Sequence, residues 1–139
     1  MSGKRTKIIV DILMTAFLAL SFVRWEGSPV FHVVVGTACA LVFAIHVCIH
    51  KRWLTSVTKL CLAGKLNKAV KGKYITDVLL FAVWGVAIVT GFLAIGPYMA
   101  GIERSVFGRL HGVSARLGLM LVILHVVQHR SQIASYFRK

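Results

Sequence analysis

Two stretches of this chain hold every histidine it has, in the same spacing: FHVVVGTACALVFAIHVCIHKR over residues 31–52 and LHGVSARLGLMLVILHVVQHRS over residues 110–131. His32, His46 and His50 in the first are answered by His111, His125 and His129 in the second. In both copies the steps are fourteen and then four residues. At about 100° per residue, fourteen residues of α-helix return to within about 40° of their start and eighteen return almost fully, so each triplet lines one stripe of one helix. With a rise of about 1.5 Å per residue, the first two histidines of a copy lie about 21 Å apart and the outer two about 27 Å. That is close to the depth of a bilayer's hydrocarbon core, about 30 Å.

Lipid is the solvent that suits the rest of the chain. Of its 139 residues 58% are hydrophobic, which exceeds what a water-soluble domain of this size carries. The net charge of +13 does not mark a nucleic-acid surface, because the basic residues fall in clusters between long apolar runs. Cys39, Cys48 and Cys61 show no CxxC zinc spacing and no CxxCH haem-attachment motif, and they read as packing residues. The opening KRTK with its apolar run is not expected to be a cleaved signal, since Asp11 lies inside the run and a matching helix start recurs at Lys73.

Hydropathy predicts one all-α membrane domain of four transmembrane helices, at about residues 8–25, 30–50, 74–95 and 110–128. The first is short and spans if the bilayer thins or its flanking side chains snorkel. Thirteen basic residues lie before the first segment, in the loop 51–73 and after His129, against three in the other two connections. Both termini and the basic loop are therefore expected on the cytoplasmic side. That loop mixes Trp53, Leu54, Val57, Leu60 and Leu62 with lysines, and reads equally as an interfacial amphipathic helix or as a solvated connector. Lys7-x3-Asp11 opens the first helix as Lys73-x3-Asp77 opens the third. The halves are thus two parallel two-helix repeats, which brings His32 to the depth of His111 and His46 to that of His125.

Ionisable groups at membrane depth are costly and mark function. Haem uses this arrangement, because its iron takes two axial nitrogens from opposite sides of a flat ring. His32 with His111 would hold one haem near the outer face, and His46 with His125 a second near the cytoplasmic face. Gly36, Cys39 and Ala40 in one copy, and Gly112, Ala115 and Gly118 in the other, leave room for a macrocycle or for close helix packing.

The H-x13-H spacing on two helices of a four-helix bundle resembles the di-haem cytochrome b family, including the cytochrome bc type b subunits and relatives of the formate dehydrogenase gamma subunit. The longer H-x13-H-x3-H form, followed by a basic residue and tryptophan as in His50-Lys51-Arg52-Trp53, resembles small stand-alone four-helix cytochrome b domains. The resemblance covers about residues 8–129. It implies two haem b with His32, His46, His111 and His125 as axial ligands, and a prokaryotic cytoplasmic membrane. No large quinol-site loop of the bc type is present, so a bifurcating mechanism does not carry over.

Other residues are open between roles. His50 and His129 sit one turn beyond His46 and His125, where they face propionates, a quinone headgroup or water, or replace the inner pair as ligands. The i, i+4 pairs His46/His50 and His125/His129 also have the spacing of helical zinc or copper sites. Arg116 either pairs with a propionate of the outer haem or snorkels to the interface. Asp11 and Asp77 either complement a helix dipole and pair with Lys7 and Lys73, or one of them, with His50 or His129, exchanges protons with a quinone. Glu26 and Glu103 could serve that purpose outside or meet a soluble partner, and Trp25, Trp84 and Tyr98 read as interface anchors or core.

The expected function is electron transfer across the bilayer between the quinone pool and an extracytoplasmic redox protein, as a subunit rather than a complete enzyme. The rival readings are a histidine-based transition-metal binding or transport protein without haem, and a purely structural anchor. Direction of flow and assembly with itself or another chain are left open.

Overall fold

The computed structural model describes residues 3–23, 29–102 and 105–137. Regular structure among them is helical throughout, in the order α1 (Gly3–Ser21), α2 (Pro29–Leu62), α3 (Lys68–Met99) and α4 (Val106–Phe137). Three helices are long and apolar enough to cross a membrane: α2, α3, and α4 over Val106–Ser135. Charge sets α1 apart. Lys4, Arg5, Lys7 and Asp11 fall in the first half of its 19 residues. Its longest uncharged run is residues 12–21, about 15 Å of helix against a core of about 30 Å. Of the four spans expected from hydropathy, three are shown by helix length and apolarity.

The outward faces are apolar. Val34, Leu41, Met120 and Ile123 are all more than half exposed, while the buried hydrophobic residues are few: Leu18, Val35, Cys39, Val57 and Ala87. A protein dissolved in water hides contiguous apolar surface on this scale, whereas one dissolved in lipid presents it. Hydroxyls on these helices are satisfied locally, as the membrane requires. Thr90 donates to Val86 O at 2.6 Å and Ser114 to Leu110 O at 2.7 Å.

Helices run further than the apolar segments that suggested them. α2 continues through the basic stretch to Leu62, α3 begins at Lys68, and α4 continues to Phe137. Leucine, lysine and alanine all favour helix, and no glycine or proline interrupts α2 between Gly36 and its end. The expected interfacial helix is thus a continuation of α2, and the basic loop shrinks to residues 63–67. Both long breaks are glycine-closed. At the end of α2 Gly64 takes φ +68°, with Lys65 N donating to Leu60 O and Gly64 N to Cys61 O, both at 3.0 Å. At the end of α3 Gly101 takes φ +78°, with Ile102 N on Pro97 O at 2.9 Å and Gly101 N on Tyr98 O at 3.0 Å. These are Schellman closures, and the left-handed residue in them favours glycine. Asn67 caps α3 by accepting from Val70 N at 2.9 Å, and Ser105 caps α4 by accepting from Gly108 N at 3.1 Å.

The chain divides into two compact units, Met1–Ser56 and Val57–Lys139, with the boundary inside α2. In the first, α1 lies antiparallel to α2, with Asp11 opposite His46 and Ser21 opposite His32. In the second, α3 lies antiparallel to α4, with Asp77 opposite His125 and Ala87 opposite His111. Small side chains let α3 and α4 approach: Ala87, Thr90 and Ser114 are buried. The Trp84 indole lies against Gly118, where a Cβ would sit 3.1 Å from Nε1. Gly118 therefore seats a tryptophan, and Trp84 belongs to the core of this unit rather than to an interface.

Candidate functional site

His46, His125, His32 and His111 each hold a hydrogen bond to the neighbouring helix of their own unit. His46 donates from Nδ1 to Asp11 Oδ1 at 2.9 Å, and His125 from Nδ1 to Asp77 Oδ1 at 2.7 Å. His32 donates from Nδ1 to Ser21 O at 3.0 Å, and His111 from Nδ1 to Ala87 O at 2.8 Å. A backbone carbonyl and a carboxylate oxygen only accept, so each ring carries its proton on Nδ1. In the neutral imidazole that places the lone pair on Nε2.

The pattern repeats between the units. Asp11 and Ser21 are ten residues apart on α1, as Asp77 and Ala87 are on α3, while the histidines they hold are fourteen apart on α2 and on α4. Ten residues of helix rise about 15 Å against about 21 Å for fourteen, so the rungs are not level, and the same offset recurs in both units. Residues 11 to 21 climb α1 while residues 46 to 32 descend α2, and the same climb and descent recur in the second unit.

Each acceptor is available for a local reason. Ser21 is the last residue of α1, so its carbonyl is among those a helix end leaves without an internal partner. Ala87 lies inside α3, where its carbonyl also receives the Thr90 hydroxyl at 3.3 Å. Access comes from Gly91, one turn on. A Cβ there would lie 3.0 Å from His111 Nδ1 and 3.1 Å from Cε1, so the imidazole rests directly on the α3 backbone. Gly91→Val is therefore expected to displace the His111 ring from Ala87 O while helix content by circular dichroism stays unchanged. A change in the His111 imidazole resonances in that variant, with those of the other five histidines unmoved, is the readout.

The aspartates are not where a helix-dipole role would put them. α1 begins at Gly3 and α3 at Lys68, and neither has an acidic residue in its first turn. Their ion pairs among the described residues go to histidines rather than to Lys7 and Lys73: Asp11 to His46, and Asp77 to His125 and, at 3.6 Å, to His129.

His50 and His129 lie one turn beyond His46 and His125. Their rings stack obliquely on the inner neighbours, with centroids 4.6 Å apart for His46/His50 and 4.5 Å for His125/His129. His129 Nδ1 donates to Gln132 Oε1 at 2.6 Å while its Nε2 faces Asp77 Oδ2 at 3.6 Å, so both ring nitrogens point at acceptors. Asp11, His46 and His50 form one group that can present ligand atoms within 4.8 Å of one another, and Asp77, His125 and His129 form a second.

Arg116 is exposed and folds back along α4, donating from Nε to Gly112 O at 3.0 Å, toward the end that carries His111. Gly36 faces open space within 4 Å among the described residues. Cys39 is buried and all three cysteines are free. Tyr98 is exposed near the end of α3. Arg24, Trp25, Glu26, Glu103 and Arg104 lie outside the described residues. Sequence reasoning missed the Ser21 and Ala87 carbonyls and Gly91. The matching Lys-x3-Asp pairs were the signal for the two aspartates, whose ion pairs go to histidines rather than to those lysines.

No protein-family model, curated protein or solved structure matches the chain. What the fold and site define together is a helical protein suited to a membrane, with two repeated Asp-His-His groups and two further oriented imidazoles.

Proposed function

We propose that the chain is a membrane b-type cytochrome. In this reading it carries two haem b and moves electrons across a prokaryotic inner membrane between the quinone pool and an extracytoplasmic redox protein. The observation that supports it is the common orientation of His32, His46, His111 and His125. Each ring is held through Nδ1 by an acceptor that fixes its tautomer, as ligating imidazoles in metalloproteins are held. An iron ligated by two neutral imidazoles exchanges one electron without needing a proton or a new ligand. The protein's part is to keep four Nε2 lone pairs aimed and to shield them from water with apolar helix. α1 completes the fourth span with Arg5 and Lys7 snorkelling to the headgroups, and the charge asymmetry sets both termini in the cytoplasm. Arg116, His50 and His129 would then contact propionates or a quinone headgroup, and Asp11 or Asp77 would serve proton exchange there. The chain is then an electron-transfer subunit of a membrane oxidoreductase, with substrate chemistry left to its partner.

The deciding experiment is the dithionite-reduced minus oxidised spectrum of the purified protein, with haem quantified per chain. A b-type α-band at close to two haems per chain is expected. Its absence in protein expressed with ample haem would sink the reading.

A second reading rests on the two clusters Asp11/His46/His50 and Asp77/His125/His129, whose ligand atoms converge within 4.8 Å. Such a set suits a zinc or copper ion. It predicts a colourless protein whose metal affinity depends on His50 and His129 as strongly as on His46 and His125.

A further inference from the structure

The end of α2 and the start of α3 meet in a folded hairpin that belongs wholly to the second unit. A hydrogen bond sets its depth. Thr58 Oγ1 donates to Tyr74 Oη at 3.3 Å, and Val57 beside it is buried, so Thr58 lies level with Tyr74. Tyr74 opens the long apolar run of α3, which places residues 59–73 just beyond the hydrocarbon edge. Lys68 stands six residues, about 9 Å of helix, beyond Tyr74. The headgroup layer on each face is of similar depth, about 5–8 Å.

The hairpin is basic and apolar at once. Lys59, Lys65, Lys68 and Lys71 are exposed, and no acidic residue occurs between Glu26 and Asp77. The Asp77 carboxylate is already engaged by His125 and His129. Lys71 comes from α3 to line a shallow cleft with Cys61, Gly64 and Leu66, so charge from both helices is gathered at the turn. The first turn of α3 holds no acidic residue, and the positive end of its dipole adds to the lysines. Among these charges Leu60 is 45% exposed and Leu62 85%. The closure at Gly64 and the Asn67 cap hold all of them on ordered backbone. An acidic protein would meet the lysines but not the leucines. Phospholipid offers phosphate and acyl chain at this same depth.

Independently of haem, we infer that this hairpin docks anionic phospholipid of the leaflet it faces. Lys59, Lys65, Lys68 and Lys71 take headgroup phosphates, and Leu60 and Leu62 enter the acyl boundary between them. With both termini cytoplasmic, that is the inner leaflet, whose surface is negative.

In the test, the full chain is reconstituted in phosphatidylcholine vesicles with a trace of spin-labelled phosphatidylglycerol or, in a parallel sample, spin-labelled phosphatidylcholine. The fraction of label immobilised by the protein gives the relative affinity. A preference for phosphatidylglycerol of at least about fivefold, the worth of one lysine at an anionic surface, is expected at low salt. It should fall toward one in 1 M salt, where the screening length is about 3 Å. Lys59→Gln, Lys65→Gln, Lys68→Gln and Lys71→Gln combined should bring it close to one, and arginine at the same four positions should keep it. A control with Lys51→Gln, Arg52→Gln, Arg109→Gln and Arg130→Gln loses the same four charges outside the hairpin and should keep most of the preference. Equal loss in that control, or no loss in the hairpin variant, overturns the inference. So does binding of polyglutamate to the embedded wild type without any preference between the lipids, which would assign the surface to an acidic protein. Should the combined glutamine variant lose helix content, its four single substitutions replace it. Their losses must then exceed those of the four control substitutions made singly.

Discussion

On the proposed two-haem reading, replacing His125 or His46 with alanine is expected to lower bound haem from two per chain to one, and His111→Ala or His32→Ala to do the same for the other haem. His50→Ala and His129→Ala are expected to keep both. The asymmetry comes from the ring nitrogens. His125 spends Nδ1 on Asp77 and presents Nε2, whereas His129 turns Nδ1 to Gln132 and Nε2 to Asp77. Removing only the partner that orients a ligand costs roughly 10–100-fold in metal affinity, so removing the ligand itself costs more. Haem per chain, measured by pyridine haemochrome on each single variant, checks this. Two other patterns would each point elsewhere. Equal sensitivity of His46 and His50, without colour, favours a metal ion in the Asp-His-His cluster. Loss of all haem on any one substitution favours a single site.

The second large effect is expected at the α3–α4 contact. Gly118 is buried, and a Cβ there would lie 3.1 and 3.2 Å from Nε1 and Cε2 of Trp84. The indole is a rigid plate pressed flat on the helix, so Gly118→Leu forces it aside. Overpacking of this kind costs about 1–3 kcal/mol, or roughly 5- to 150-fold in the folding equilibrium. Trp84→Ala removes the plate and leaves a void, at a cost of about 3–5 kcal/mol. The double variant should be more stable than the sum of the two losses, because leucine enters the space the indole vacates. Unfolding in mixed detergent micelles, followed by circular dichroism, measures all four proteins. Strict additivity would show that the two residues do not share that space.

These expectations draw on different parts of the molecule, and they were unequally legible in the sequence. The histidine stripes could be read directly. Helical periodicity carries residues fourteen and eighteen apart to one face whatever the surroundings, and apolar runs of that length leave few solvents to choose from. The ends of the helices were less legible. Hydropathy stops where lipid stops, but backbone hydrogen bonding continues until a residue such as Gly64 or Gly101 breaks it, so α2 and α4 outrun their apolar segments.

Asp11 and Asp77 show the limit most clearly. Their i, i+4 lysines are fixed by the local chain and suggested an ion pair on one helix. The partner that each carboxylate takes depends on the register of a second helix, set by packing that no local window contains. The carbonyls of Ser21 and Ala87 were invisible for a stronger reason, since every residue has one and only tertiary placement makes a particular one matter. Gly91 belongs with them: its role lies in the absence of a Cβ beneath an imidazole contributed by another helix.

The sequence by itself thus determined an all-helical chain suited to lipid, with six histidines in two matched lines, because periodicity and hydropathy are properties of a single helix. Only the tertiary structure decided which nitrogen each of four rings presents, and that two of them answer to carboxylates and two to backbone oxygen. Those choices are made between helices, where the register of α1 on α2 and of α3 on α4 selects one acceptor from many.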